Sequence, residues 1–209
     1  MRVTISLPCF GRPQRTRRAI QCILNQDLKG WEAFVMGDNC PHFQKMIDSG
    51  EMEQFQWAAN LQGNKLHYFN AKENGGGHGY KLTNHAIQNA TGKYLVFFAN
   101  DDVILPNHLS NYLEIEKHPD IVMMYFDSFL DPVKKPRISH LGFCQIGHSE
   151  IIVKTDIAKK CKPHSEKYGH DWDFISEVMS MGKCVKSTSS LQTYHVMHIP
   201  SIGCSDVID

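Results

Sequence analysis

The sequence shows no excess of either charge, no long apolar run and no paired cysteines, and each absence excludes something. Lysine plus arginine and aspartate plus glutamate number 22 each across 209 residues. No basic footprint therefore points to a nucleic-acid partner. No apolar run approaches the roughly 18 residues of a membrane span, so no integral membrane segment is expected. A strand-like Val3–Leu7 follows almost at once from Met1, which leaves no room for a signal peptide. The seven cysteines are an odd number, scattered and without a Cys-x-x-Cys pair. Reduced thiols and a cytoplasmic location are expected from that, rather than a zinc knuckle or a disulfide framework. No internal repeat or low-complexity tract breaks the chain. What remains is 42% hydrophobic residues, enough for the packed core of one large domain.

The first forty residues read as strand, loop, helix, strand. Arg2–Leu7 is β-branched, and Pro8 to Pro13 has loop chemistry. Thr16, Ala19, Ile20, Ile23 and Leu24 then recur on one helical face. Ala33–Met36 is a second strand, ending at Gly37-Asp38-Asn39. That order spells a parallel crossover unit. The segment from Pro41 to Gln62 is helical in part, and Lys65–Phe69 is a third strand. A glycine-rich loop from Glu73 to Gly79 allows a backbone to approach a ligand closely. It is neither a Walker loop nor a dinucleotide fingerprint. Lys81–Ala90 is a helix with Leu82, Ala86, Ile87 and Ala90 on one face.

The chain is organised around Lys93–Leu105. Tyr94–Ala99 is an unbroken apolar run, the pattern of a strand buried on both faces. It ends on Asn100-Asp101-Asp102. Adjacent carboxylates at the carboxyl end of a central strand call for a neutralising cation, and ligands of open α/β sheets bind at that end. Oxygen donors suit hard cations, Mn²⁺ or Mg²⁺, shared with a substrate's phosphates. An acidic turn leading into a helix opened by Pro106 has the same spelling. Asp38, at the end of the second strand, is placed to accept hydrogen bonds from a ribose or a base; an Asp-Asn turn reads identically. Downstream, a helix over Pro106–Lys117, a strand over Ile121–Phe126, an exposed connection over Asp131–Arg137 and a strand closing Gly142–Val153 are expected. A helix introduced by Tyr168-Gly169-His170-Asp171, with Trp172, Ile175, Val178 and Met179 inward, precedes a last strand from Val185 to Leu191.

Four blocks, in order, resemble glycosyltransferase family 2. Val3-Thr4-Ile5-Ser6-Leu7-Pro8-Cys9-Phe10-Gly11-Arg12 is similar to its opening strand and loop, with Gly11 where Asn is usual. Ala33–Cys40 resembles its second strand, with Asp38 as the second acid and Gly37 replacing the first. Asn89 to Asp102 is similar to its "A-A-T-G-D-Y-I-A-F-L-D-A-D-D" block, with Ala99 at the first acid of the metal motif and Asp101 at the last. Tyr168 to Phe174 resembles its "x-G-E-D-W-D-L" block, with His170 in place of Glu.

The resemblance implies an α/β chain of GT-A, Rossmann-like fold, with a mixed, mainly parallel sheet flanked by helices. It implies one domain over 1–209, with a nucleotide-sugar half to about residue 130 and an acceptor half beyond. The implied activity is metal-dependent, inverting transfer of a sugar from a nucleotide-sugar, UDP-linked by preference, to a hydroxyl of a glycan or other acceptor. Pro8, Phe10, Arg12, Asp38, Asn100 and Asp101 are the implied donor contacts, with Mn²⁺ or Mg²⁺ on Asp101 or Asp102. Asp171 is the implied general base, although plain helix capping is the alternative for a carboxylate there. Trp172 and His148 are candidates for substrate contact, and His195 and His198 for late metal ligands. Two other readings fit the layout. A sugar-nucleotide pyrophosphorylase would want a glycine-rich, lysine-bearing loop after the first strand, where only Gly11 stands. A non-catalytic nucleotide- or glycan-binding domain agrees with Ala99 and His170.

Overall fold

The computed structural model describes residues 2–76, 79–131, 135–187 and 193–196. A seven-stranded sheet forms its centre, with strand order β10-β6-β9-β4-β1-β2-β3. These strands are β1 (Val3–Cys9), β2 (Trp31–Gly37), β3 (Lys65–Asn70), β4 (Tyr94–Phe97), β6 (Ile121–Tyr125), β9 (Ile151–Lys154) and β10 (Lys183–Lys186). All pairings are parallel except those of β9, which runs antiparallel to both β4 and β6. The mixed, mainly parallel sheet is thus as the resemblance implies. Pro8 sits inside β1 without breaking it. Ser6 O accepts from Phe98 N on the β4 side, and Cys9 O accepts from Asp38 N on the β2 side. Pro8 is in step with Ser6, so its missing N–H faces the flank where β4 has already ended.

Helices cover both faces. On one lie α1 (Pro13–Leu24), α2 (Pro41–Asp48) and α3 (Glu51–Leu61). Their core takes Val3, Ile5 and Leu7 of β1 with Tyr94 and Val96 of β4. On the other lie α4 (Tyr80–Asn89), α6 (Thr155–Ala158) and α7 (His170–Met181), against Leu95, Phe97, Val122, Met123 and Val153. The alternation of Tyr94–Phe97 between the two cores explains the uniformly apolar spelling of β4. Glu32, buried in β2, accepts from Thr4 Oγ1 (2.6 Å) and Thr91 N (2.6 Å). It thereby ties the amino ends of β1 and β2 to the turn before β4.

Three expectations are corrected. Pro106–Lys117 is not one helix but a short α5 (His108–Asn111) followed by a 3₁₀ turn over Tyr112–Lys117. Asp131–Arg137 is not a plain connection. β7 (Ser128–Asp131) and β8 (Lys135–Arg137) pair antiparallel in a second sheet that also holds β5 (Asp102–Ile104) and β11 (Thr193–Val196), in the order β5-β11-β7-β8. Pro136 is tolerated because β8 is the edge strand. The expected strand closing Gly142–Val153 is present as β9, and two glycines and a left-handed Cys144 (φ 59°) bend the chain before it. The last expected strand is shorter and earlier, as β10, and Leu191 lies outside the described residues. A further strand, β11 (Thr193–Val196), pairs antiparallel with β5 (Asp102–Ile104). Among the described residues six cysteines are free, and no helix is long and apolar enough to cross a membrane.

Candidate active site

Two clefts meet at the carboxyl end of β1 and β4, and Pro8 and Ala99 line both. The first, about 440 Å³, is bounded by Phe10, Arg12, Asp38, Asn74, Asn100 and Asp101 among others. The second, about 260 Å³, is bounded by Ser6, Phe97, His148, Tyr168, His170 and Asp171 among others.

The first cleft is built by three loops. Gly11 and Arg12 both adopt left-handed backbone (φ 60° and 50°) as the chain turns into α1. For arginine that conformation is uncommon and costs roughly 1–2 kcal/mol. It brings the guanidinium to Asp101, with Arg12 Nη1 donating to Oδ2 at 2.9 Å. Two more groups of α1 hold the same turn. Arg18 Nη2 donates to the Asp101 carbonyl (3.1 Å), and Asn100 Nδ2 donates to Thr16 Oγ1 (3.1 Å). Asp38 is 6% exposed. Its Oδ1 accepts from Gly75 N (2.7 Å), and its carbonyl accepts from Asn74 Nδ2 (3.0 Å). The glycine-rich loop is thereby latched over the end of β2. A β-carbon on Gly75 would lie 3.2 Å from Asp38 Oδ1, so the residue's smallness lets the loop come this close.

Asp102 turns the other way. Ser149 Oγ donates to its Oδ2 at 2.5 Å, and in the second sheet its backbone is paired with His195. His198 lies outside the described residues. No three His, Cys, Asp or Glu side chains among the described residues gather as a metal cage. A hard cation does not need one, because Mg²⁺ and Mn²⁺ take one or two carboxylates and complete their shell with substrate phosphates and water. Asp101 lines the first cleft, whereas the Asp102 carboxylate, held by Ser149, lines neither.

The second cleft carries the histidines. The 3₁₀ turn over His148–Glu150 and the amino end of α7 face each other across it. Glycine 169, left-handed at φ 87°, caps α7 and leaves Asp171 in its first turn rather than at the cap. Plain N-capping is therefore not what Asp171 does; its Oδ1 accepts from Trp172 N (2.8 Å). Trp172 is half-buried against the second core, and Asp173 lines a separate recess with His164 and His170. His148 stacks on Phe97 (centroids 4.6 Å apart), and its Nε2 is 2.9 Å from Nε2 of His164. Burial, then the neighbouring His164 and His170, hold His148 well below the usual histidine pKa. Burial, reinforced by His170, lowers His164 to about 4. Ser6, Asn84, Ser149 and His164 were not expected here from the sequence. Nothing in local spacing joins them, since they come from β1, α4 and two separate turns.

The arrangement belongs to a known class. By fold the chain is of the GT-A type: S. aureus TarS 1–349 superposes over 94% of this chain and 60% of its own with TM-score 0.74 at 15% identity. Mannosyltransferase PcManGT from Pyrobaculum calidifontis, in complex with GDP-Man and Mn²⁺, superposes over 97% of this chain and 58% of its own with TM-score 0.70 at 14% identity. The family model for glycosyl transferase family 2 matches residues 4–172, and the chain belongs to that family. It is 35% identical over 113 residues to an uncharacterized glycosyltransferase of Rickettsia bellii (strain RML369-C), covering 54% of this chain and 15% of that protein. It is 31% identical over 112 residues to the putative colanic acid biosynthesis glycosyl transferase WcaA of Escherichia coli (strain K12), covering 53% of this chain and 36% of that one. The chain thus matches well under half the length of these relatives.

Proposed function

We propose that the chain transfers a sugar from a nucleotide-sugar, UDP-linked by preference, to an acceptor hydroxyl, with inversion and with a divalent cation. The carrying observation is the junction of the two clefts at Pro8 and Ala99: acidic and basic donor contacts lie on one side and Asp171 on the other. In this reading residues up to about 130 hold the nucleotide, and the remainder frames the acceptor. Asp38 offers a carboxylate to the N–H edge of a uracil, while Pro8 and Phe10 flank the base. Arg12 lies beside the diphosphate, which competes with Asp101 for its guanidinium. Asp101 and Asp102 would hold Mn²⁺ or Mg²⁺, and the cation supplies charge neutralisation for the leaving diphosphate. A TarS crystal structure in complex with UDP and the PcManGT complex with GDP-Man and Mn²⁺ support a nucleotide and a metal in this fold.

Asp171 takes the proton from the acceptor hydroxyl as its oxygen attacks the anomeric carbon. A single carboxylate opposite the leaving group suffices for one in-line displacement, and the product is inverted. A positioned base contributes about 10²–10⁴-fold. Asp171→Asn keeps the shape and the hydrogen bond to Trp172 N, so the fold and UDP affinity persist while turnover falls by that factor. Calorimetry with UDP beside a donor-screen turnover assay checks both. Turnover within about threefold of wild type, far short of the general-base range, would refute the assignment. Asp173 is a poor substitute because it lines the other recess.

A further inference from the structure

We infer that Asn84 and His164 are positioning residues that fix the ring tautomer of His148, leaving its Nδ1 as a hydrogen-bond acceptor for a sugar hydroxyl in the Asp171 cleft. The inference rests on the glycosyl-transfer reading and specifies which group of this site meets the sugar. The chain of donors is determined from its far end. Asn84 Nδ2 donates to the His164 carbonyl (2.9 Å), and His164 N donates to Asn84 Oδ1 (2.7 Å). These two bonds fix which amide atom is oxygen. His164 Nδ1 lies 3.1 Å from that same Oδ1. An oxygen that is only an acceptor there requires Nδ1 to carry the proton. Neutral His164 then has a bare Nε2, and His148 Nε2, 2.9 Å away, must be the N–H that donates to it. His148 is left with a bare Nδ1, which has no partner among the described residues.

Stacking fixes the planes of the two rings, and the contacts of His164 Nδ1 with Asn84 Oδ1 and of Nε2 with Nε2 fix their orientation within those planes. His148 is stacked on Phe97, and His164 is stacked on Phe174 with centroids 4.8 Å apart. Both histidines are held neutral by burial, as their lowered pKa values show. A second observation marks the same cleft as a place for polar ligand groups. Ser6 Oγ lines it, is fully buried, and has no hydrogen-bond partner among the described residues. A buried hydroxyl without a partner is costly unless a ligand completes it. A sugar presents hydroxyls that donate to a bare imidazole nitrogen and accept from a serine, so the pair suits a polyol better than an apolar group. The Asn84–His164 clamp matters because the opposite tautomer of His148 would present an N–H where an acceptor is needed.

The test is ¹⁵N NMR of the histidine rings at pH 7, on the whole chain. It is recorded alone, with UDP, and with the tightest binder among UDP-N-acetylglucosamine, UDP-glucose and GDP-mannose. The expected spectrum has His148 protonated on Nε2 and His164 on Nδ1. The His148 Nδ1 signal moves with the nucleotide-sugar and not with UDP. Asn84→Leu should scramble the His148 tautomer and lower kcat/KM for donor-sugar turnover roughly two- to tenfold, the range of one hydrogen bond. UDP affinity should stay as it was, because UDP binds in the other cleft. His148 carrying its proton on Nδ1 overturns the inference without any functional assay. So does a nucleotide-sugar that binds yet leaves Nδ1 unmoved. Failure of every nucleotide to bind overturns the glycosyl-transfer reading itself, and the role of Nδ1 with it.

Discussion

Acidification should unfold this chain earlier than its carboxylates alone would dictate, because of His164. In the unfolded chain a histidine titrates near the usual 6.5; in the fold His164 is lowered to about 4 by burial and by His170. Between those values the unfolded state binds the proton and the native state does not. Stability is therefore complete above about pH 6.5 and is lost as pH falls toward 4, after which this contribution is exhausted. At about 1.4 kcal/mol per pH unit, that window is worth about 3 kcal/mol, with about 2 kcal/mol gone by pH 5. His148 shifts in the same direction and adds to the loss. Against a typical total of about 5–15 kcal/mol the effect is large. Urea titrations at pH 7 and pH 5 should show the midpoint lower by roughly 1 M, at slopes usual for such proteins. His164→Phe keeps a ring against Phe174 and should flatten the dependence. Equal midpoints for wild type at the two pH values would refute the buried, neutral histidine pair.

Gly92→Ala places a β-carbon 2.5 Å from Thr4 N and 2.6 Å from Val3 C. Backbone cannot yield as a side chain can, so at least about 2 kcal/mol should be lost, seen as a fall in Tm of about 4–8 °C; an unchanged Tm would show that β1 moves freely there. Glu32→Gln keeps an Oε1 to accept from Thr4, Thr91 and Gly92 but loses the charge. Burial opposes that charge, yet the three donors outweigh it and lower the Glu32 pKa, so the variant should lose about 1 kcal/mol at pH 7 and little at pH 3, by urea titration. Asp101→Asn removes the partner of a half-exposed Arg12 pair worth at most about 1 kcal/mol, so Tm should hardly change. Calorimetry should nevertheless show UDP binding in Mn²⁺ reduced to its level in chelator.

The fold was legible where side-chain period and burial coincide. The face Thr16, Ala19, Ile20, Ile23 and Leu24 is buried along α1, and the apolar run at Tyr94 is the strand shared by both cores. It was illegible where pairing partners decide. Lys135–Arg137 carries two charges and a proline and reads as loop; it is a strand because β7 lies beside it and its far edge is open. Thr193 to Val196 is short, though rich in strand-favouring residues, and its partners β5 and β7 come from distant segments.

For the site, what could be read was whatever a strand end delivers. Asp38, Asn100 and Asp101 each follow a parallel strand, and parallel strands in register bring their carboxyl ends to one edge. The family pattern added Asp171 through a motif, and geometry sets it in the adjoining cleft. His148 was named as a candidate, but its pairing with His164 had no such route into view. His148 precedes the one strand of the central sheet that runs against its neighbours, and His164 lies in a turn after α6 with no period to place it. Their meeting depends on Phe97 and Phe174 as stacking platforms and on Asn84 as a clamp. None of those three residues has a spelling that differs from ordinary core or helix surface. A dozen histidines in the chain is the only compositional hint, and it does not say which two share a proton. That knowledge comes from donors and acceptors counted atom by atom, beginning at an asparagine amide held by two backbone groups.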